Sequence, residues 1–440
     1  MDVKGSMTKG VIWKQMTLFA LPIFLGNLFQ QLYNTVDSLI VGNFLGSNPL
    51  AAVTSSGNIT FLLIGLLSGI SIGAGVVVAK FFGAKDYENM SKSIHTIVAF
   101  GLVASVILTI IGVLLTPQIL VWMDTPESVL PDSILYLKIY FYGSIGAVMY
   151  NIFVGILQAV GDSKHPLYYL IVSSIINVGL DILFIVVFKM GVDGAALATI
   201  ISQITSAILC FIQLLKTKGA HKVYLHKIGF DLTMLKSIIR YGLPSGLQNS
   251  IIAFANVVVQ SKINFFGELA MAGVGAYAKI EGFGFLPITS FTMALTTFVG
   301  QNIGAAENER VEKGVRFGVI TTVILAQSIG VIIYILAPQL IMAFDKNPSV
   351  IEFGVDKARV SAIFYFLLAY SHALSAVLRG KGKAIIPMLV MLLCWCVIRV
   401  LFLTITIPIL PDIRVVYWVY PLTWLLSSIC FFVYYRLSKH

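Results

Sequence analysis

"PQILVWMDTPESV", residues 117–129, returns as "PQLIMAFDKNPSV" at residues 338–350. The interval is 221 residues, and it holds well beyond this stretch. Gly83-Ala84 returns as Gly304-Ala305, Glu88 as Glu309, Lys92 as Lys313, Gly161 as Gly382 and Pro166 as Pro387. A register kept from one end of a chain to the other marks an internal duplication. What has been duplicated follows from composition. Of 440 residues, 58% are hydrophobic and 11% charged, whereas a soluble domain carries about 25% charged residues. The mean hydropathy is +0.91. Apolar runs recur throughout, each of the roughly 20 residues needed to cross a hydrocarbon core of about 30 Å. Short alternating segments are missing, which argues against a barrel. The expectation is an all-α polytopic membrane protein.

Twelve spans are expected, at about 16–43, 51–80, 93–115, 134–159, 167–188, 194–215, 238–265, 270–300, 316–337, 356–378, 385–408 and 415–435. They divide into two pseudo-symmetric six-helix bundles. Residues 1–215 form an N-lobe, 216–237 a cytoplasmic linker and 238–440 a C-lobe. Six is even, so the two halves share one orientation and are parallel repeats about an axis along the membrane normal.

Charge placement orients the chain. Lys4, Lys9 and Lys14 precede the first span, Lys80, Lys85 and Lys92 flank the second, and Lys164 follows the fourth. The central loop carries Lys216, Lys218, Lys222, Lys227, Lys236 and Arg240. Arg310, Lys313, Arg316, Arg379, Lys381, Lys383, Arg436 and Lys439 complete that side, against Lys189, Lys346 and Arg414 on the other. The positive-inside rule puts both termini and the central loop in the cytoplasm. Topology and anionic lipid account for the net charge of +10, so no nucleic-acid partner is expected. The first span lacks a small-residue cleavage site and reads as a retained helix. Cys210, Cys394, Cys396 and Cys430 all fall in apolar spans, and the Cys394-x-Cys396 spacing suits neither a redox nor a zinc pair.

Asp37 and Asp181 break the apolar pattern. The 221-residue shift places Asp37 on Val258, Asp181 on Phe402 and Asn177 on Ile398. Packing would want the same residues in both copies, so a function peculiar to the first half is the sharper reading. Helical spacing puts Gln30, Tyr33 and Asn34 on the face of Asp37, and Ser174 and Asn177 on that of Asp181. A polar stripe facing lipid is costly, so both faces are expected to look into the bundle or a hydrated cavity. Two structural polar clusters, each satisfied by amides and hydroxyls, remain the blander alternative. In the second half, His372 and Arg399 are candidates, Arg399 for an anionic group or a structural pairing. Pro22 permits a kink in the first span. No GxxxxGK[ST] loop, HExxH motif or paired-aspartate metal signature appears, and the loops are too short for a catalytic domain. Neither an enzyme nor a cofactor is expected.

Two six-helix halves, Pro22 and Asp37 in the first span, "GNFLGSNPLAAV" leaving it and "GAKD" after the second together resemble the multidrug and toxic compound extrusion (MATE) family. The resemblance covers essentially the whole chain and is nearest the DinF-like branch, whose working carboxylates lie in the N-lobe. The NorM-like branch has acids in spans 7 and 10, where this chain has none. The resemblance implies an N-lobe coupling site of Asp37, Asn177, Asp181 and Thr199, with Tyr33, Tyr136 and Asn151 around it. It implies a bacterial cytoplasmic-membrane antiporter, a monomer, exporting organic cations or other amphiphilic small molecules in exchange for H⁺ or Na⁺. A desolvated carboxylate can exchange protons, and a pair flanked by amide and hydroxyl oxygens can ligate Na⁺; both stay open. A lipid-linked precursor flippase of the same superfamily is the alternative, kept by Arg399, Lys262 and Lys279. A non-transporting membrane receptor is a third possibility.

Overall fold

The structure, a computed structural model, describes residues 6–123 and 125–437, the side chains at 47, 55, 58 and 61–63 apart. Lys4 and Lys439 of the orienting set, and Asp124 of the repeated stretch, lie outside the described residues. Among those described there is no strand. The helices are α1 (Ile12–Leu45), α2 (Ser47–Ala84), α3 (Tyr87–Trp122), α4 (Leu130–Tyr142), α5 (Ser144–Ala159), α6 (Lys164–Asp181), α7 (Val192–Lys216), α8 (Leu232–Asn264), α9 (Glu268–Gly304), α10 (Asn308–Met342), α11 (Pro348–Ile363), α12 (Tyr365–Gly380), α13 (Ile385–Met391), α14 (Arg399–Ile409) and α15 (Ile413–Leu437). π-helical turns at Ile182–Val187 and Leu392–Ile398 extend α6 and join α13 to α14.

Among the described residues nine helices are long and apolar enough to cross a membrane, and two bent pairs, α4 with α5 and α11 with α12, bring the number to 11. The remaining expected span, the seventh at 238–265, is α8, a helix of 33 residues whose Gln248, Asn249, Ser250, Asn256 and Gln260 lower its hydropathy.

The fourth and tenth expected spans are each bent. The bends measure 50° and 55°. Bending frees backbone groups that lipid cannot satisfy, and each bend is stitched by a polar side chain from the preceding span. Thr109 of α3 donates to the Phe141 carbonyl at 3.0 Å and lies 3.2 Å from the Ser144 hydroxyl. Gln327 of α10 donates to the Ala362 carbonyl at 3.3 Å and accepts from the Phe366 N–H at 3.1 Å.

The duplication is visible in the backbone. Gly46 and Gly267 have φ of 95° and 93°, Gly161 and Gly382 of 86° and 79°, and Lys85 and Ala306 of 58° and 59°. The ion pairs repeat as well, Glu88–Lys92 at 2.7 Å and Glu309–Lys313 at 2.6 Å, both exposed and so worth little.

The chain forms two compact units, one spanning Leu21–Gly246 and the other comprising Met7–Ala20 and the residues from Leu247 onward. The segment 216–237, expected as a linker, belongs to the first unit. The Tyr224 N–H donates to His95 Nε2 at 2.9 Å, and the Asp231 N–H to Thr96 Oγ1 at 3.1 Å. His95 Nδ1 lies 2.7 Å from the Ser91 carbonyl, so one neutral tautomer serves both contacts.

Within the first unit α2 and α8 cross at glycines four residues apart on each helix, Gly69 and Gly73 against Gly242 and Gly246. A Cβ on Gly69 would lie 2.1 Å from the Gly246 nitrogen, and one on Gly73 2.2 Å from Gly242 Cα. This is the small-xxx-small contact that lets membrane helices meet backbone to backbone.

Residues 7–15 are held within the second unit by several side chains: the Met7 N–H donates to Gln301 Oε1 at 2.8 Å, Asn302 donates to the Met7 carbonyl at 3.3 Å, and Arg310 makes the most contacts. Arg310 donates to the carbonyls of Gly10 at 2.7 Å, Lys9 at 3.2 Å and Met7 at 3.2 Å, and to Gln15 Oε1 at 2.8 Å. Hydrogen bonds from a charged donor contribute about 1.5–3 kcal/mol each. Arg310→Ala is therefore expected to speed amide hydrogen exchange across residues 7–15 by about tenfold or more, with α10 itself unchanged. Unaltered exchange there would show that other contacts hold the segment.

Candidate functional site

Asp37 lies on α1 and Asp181 at the last position of α6, and both are buried. The fold brings them together: the two carboxyls lie within electrostatic reach of each other in the first unit. Tyr136 of α4 is buried beside both, with its hydroxyl against Thr199 of α7. Tyr33, one turn before Asp37, meets Gln30 through its hydroxyl and also lies near Asp37 and Tyr140. Four elements thus supply one cluster.

Its hydrogen bonding is incomplete. Asp37 Oδ1, both carboxylate oxygens of Asp181 and both amide atoms of Asn177 are buried without a partner. Buried polar atoms are ordinarily paired, so an orphaned set needs a physical reason. Here the orphans are mainly acceptors, which a proton or a small cation would satisfy. Asn177 sits one turn before Asp181 on the same face of α6. Immediately after Asp181 the helix widens into the π turn Ile182–Val187, where the Phe188 N–H bonds the Leu183 carbonyl at 2.9 Å. Such turns often mark functional sites, and apolar periodicity carries no sign of this one.

Gln30 and Asn34 are exposed. Thr199 donates to the Ala195 carbonyl at 3.0 Å, leaving its lone pairs free to accept. Asn151 turns its amide to the Ala147 carbonyl of its own helix at 2.8 Å. Pro22 is buried inside α1.

In the second unit His372 Nε2 is buried without a hydrogen-bond partner, its ring edge-on between Phe285 at 4.9 Å and Trp395 at 5.4 Å. Arg399 is fully buried at the end of the second π turn and donates to Thr423 Oγ1 at 2.7 and 3.3 Å. The reading that membrane acids belong to the first half alone needs correcting. Glu281 of α9 lies inside the second unit, in electrostatic reach of Lys357 and Arg399. Glu281 and Lys357 escaped sequence reading because Glu281 follows the exposed Lys279 by two positions and looks interfacial. An acid and a base in separate apolar helices were the available signal. Among the described residues no group of three or more His, Cys, Asp or Glu is arranged to hold a metal ion.

The MatE family profile matches the chain twice, over residues 22–183 and 244–405. The chain belongs to the MATE family. Each match opens at a helical proline, Pro22 or Pro244, so the repeat of this MATE chain is the family's own unit. Two Bacillus subtilis proteins are similar along most of their length. The probable multidrug resistance protein YoeA is 29% identical over 392 residues, covering 88% of this chain and 85% of that protein. The probable multidrug resistance protein YpnP is 29% identical over 438 residues, covering 98% and 96%. A solved outward-facing structure of a multidrug resistance MATE family transporter shares the fold with a TM-score of 0.93, at 24% identity, over 99% of this chain and 98% of that one.

Proposed function

We propose that this MATE chain is a secondary active exporter of organic cations and related amphiphiles, driven by the entry of H⁺ or Na⁺ at the Asp37–Asp181 pair. The observation that carries this reading is the pair itself: adjacent carboxyls, in a membrane-spanning bundle, with unsatisfied acceptor oxygens beside Asn177. Two carboxylates within electrostatic reach repel unless a proton or cation lies between them. The pair therefore has two states, loaded and empty, that differ in charge and in fit. Loading neutralises Asp37, and α1 then repacks between Pro22 and Asp37, weakening the grip on a bound cation. Thr199 and Asn177 supply neutral oxygens suited to Na⁺, and Tyr136 sets its hydroxyl against Thr199 beside the pair. The chain works as a monomer in the bacterial cytoplasmic membrane with both termini in the cytoplasm, and needs no cofactor. The names of the Bacillus subtilis relatives support drug-type substrates.

The test is ethidium transport by purified protein in liposomes, with a pH gradient or a Na⁺ gradient imposed separately. Transport is expected with one gradient and not without, and ATP has no effect. Transport that ignores both gradients would end the antiport reading. A lipid-linked precursor flippase has one observation in its favour, the buried Arg399. It predicts lipid translocation in place of ethidium transport.

A further inference from the structure

The second unit contains a charged cluster that the coupling site does not use. Lys357 of α11 is 3% exposed and Arg399 of α14 1%. Both cations lean on one ring: Lys357 Nζ lies 3.4 Å from the centroid of Tyr420, and Arg399 Cζ 4.5 Å from it. Trp395 offers a second face to Arg399 at 5.2 Å. Glu281 accepts from the Tyr277 hydroxyl at 3.1 Å, and that hydroxyl touches Tyr365 at 2.8 Å.

The charges do not balance. Two cations stand against one carboxylate, and Lys357 Nζ has no hydrogen-bond acceptor at all. Arg399 turns two N–H groups to the neutral Thr423 hydroxyl. A buried ammonium that touches ring faces and reaches a carboxylate only through space is poorly compensated, because a bonded charged acceptor satisfies it better than a quadrupole does.

The duplication says where this cluster sits. The 221-residue shift carries Tyr136 onto Lys357 and Thr199 onto Tyr420, and both Tyr136 and Thr199 belong to the carboxylate site of the first unit. Arg399 falls on Val178, next to Asn177. One place in the fold, built twice, holds two acids in one unit and an excess of cation in the other.

We propose that Lys357 and Arg399 form an anion-accepting site within the second unit, which takes the carboxylate head of an aromatic amphiphile. This rests on the export reading and adds a substrate class to it. A carboxylate gives Lys357 its missing acceptor and suits the guanidinium fork of Arg399. Tyr420 and Trp395, whose faces carry the two cations, give the site an aromatic wall. Glu281 is the internal competitor for the same two cations.

The test uses full-length protein in phosphatidylcholine nanodiscs, with pyrenebutyrate and its neutral amide as matched fluorescent probes. Wild type is expected to bind the carboxylate at least tenfold more tightly than the amide. Lys357→Gln and Arg399→Gln abolish that preference, and Lys357→Arg keeps it. Glu281→Gln is expected to tighten carboxylate binding severalfold, a direction that a purely structural ion cluster does not produce. Glu281→Gln removes no cation, so it decides the matter even if Lys357→Gln fails to fold. Equal binding of the two probes by wild type, or weaker carboxylate binding by Glu281→Gln, overturns the proposal. Ethidium transport in liposomes is measured alongside. Its absence overturns the export reading, while the nanodisc result still reports on the anion site.

Discussion

Asp37→Asn abolishes gradient-driven ethidium transport while the protein remains folded. Asparagine keeps the size of the side chain and removes the charge on which loading depends. Interactions of buried charges run at about 3 kcal/mol or more, so the coupled rate should fall by roughly 100-fold or more. Stability should move the other way. The substitution removes one of two like groups within electrostatic reach of each other, and the melting temperature measured by scanning fluorimetry should hold or rise. Val258→Asn, at the repeat-equivalent position in α8, puts the same amide where no second carboxyl waits and should cost far less transport. Equal loss at 37 and 258, or a Asp37→Asn protein that unfolds, would mean that the polarity of α1 is structural.

Gly73→Leu is expected to yield little folded protein, with a cost of about 3 kcal/mol or more, at the upper end for overpacking. The reason is what a side chain would meet. A Cβ at Gly73 lands 2.2 Å from the Cα and nitrogen of Gly242, and one at Gly69 lands 2.1 Å from the nitrogen of Gly246. These are backbone atoms, so no rotamer change relieves the clash and the helices must separate. Gly65 lies two turns before Gly73 on α2, and a Cβ there meets nothing within 4 Å. Gly65→Leu is the control and should leave the monodisperse fraction on gel filtration near wild type. Comparable losses at 65 and 73 would point to helix propensity in place of the crossing.

Hydropathy and charge are properties of single segments, and a 221-residue interval is a property of the string. The membrane class, the helical spans and the two parallel halves were therefore readable before any contact was known. The oddness of Asp37 and Asp181 was readable too, because each sits in an apolar run and neither is repeated. Their meeting was an inference from family resemblance. It depends on how α1, α4, α6 and α7 turn their faces, which a one-dimensional pattern constrains only to within a helical stripe. The π turn after Asp181 lay beyond reach because it shifts one hydrogen-bond register without changing which residues are apolar. Glycines 69 and 73 were visible four residues apart, yet their partners in α8 were not.

What the sequence determined alone was how many apolar helices form, how they repeat and where charge interrupts them, since burying apolar length in lipid needs no knowledge of neighbours. Tertiary structure alone decided which interruptions meet. Asp37 joins Asp181 in the first unit, and Lys357, Arg399 and Glu281 gather in the second. Close packing admits few faces at each helix crossing, and a buried charge settles where it finds others. That choice depends on every neighbouring helix at once.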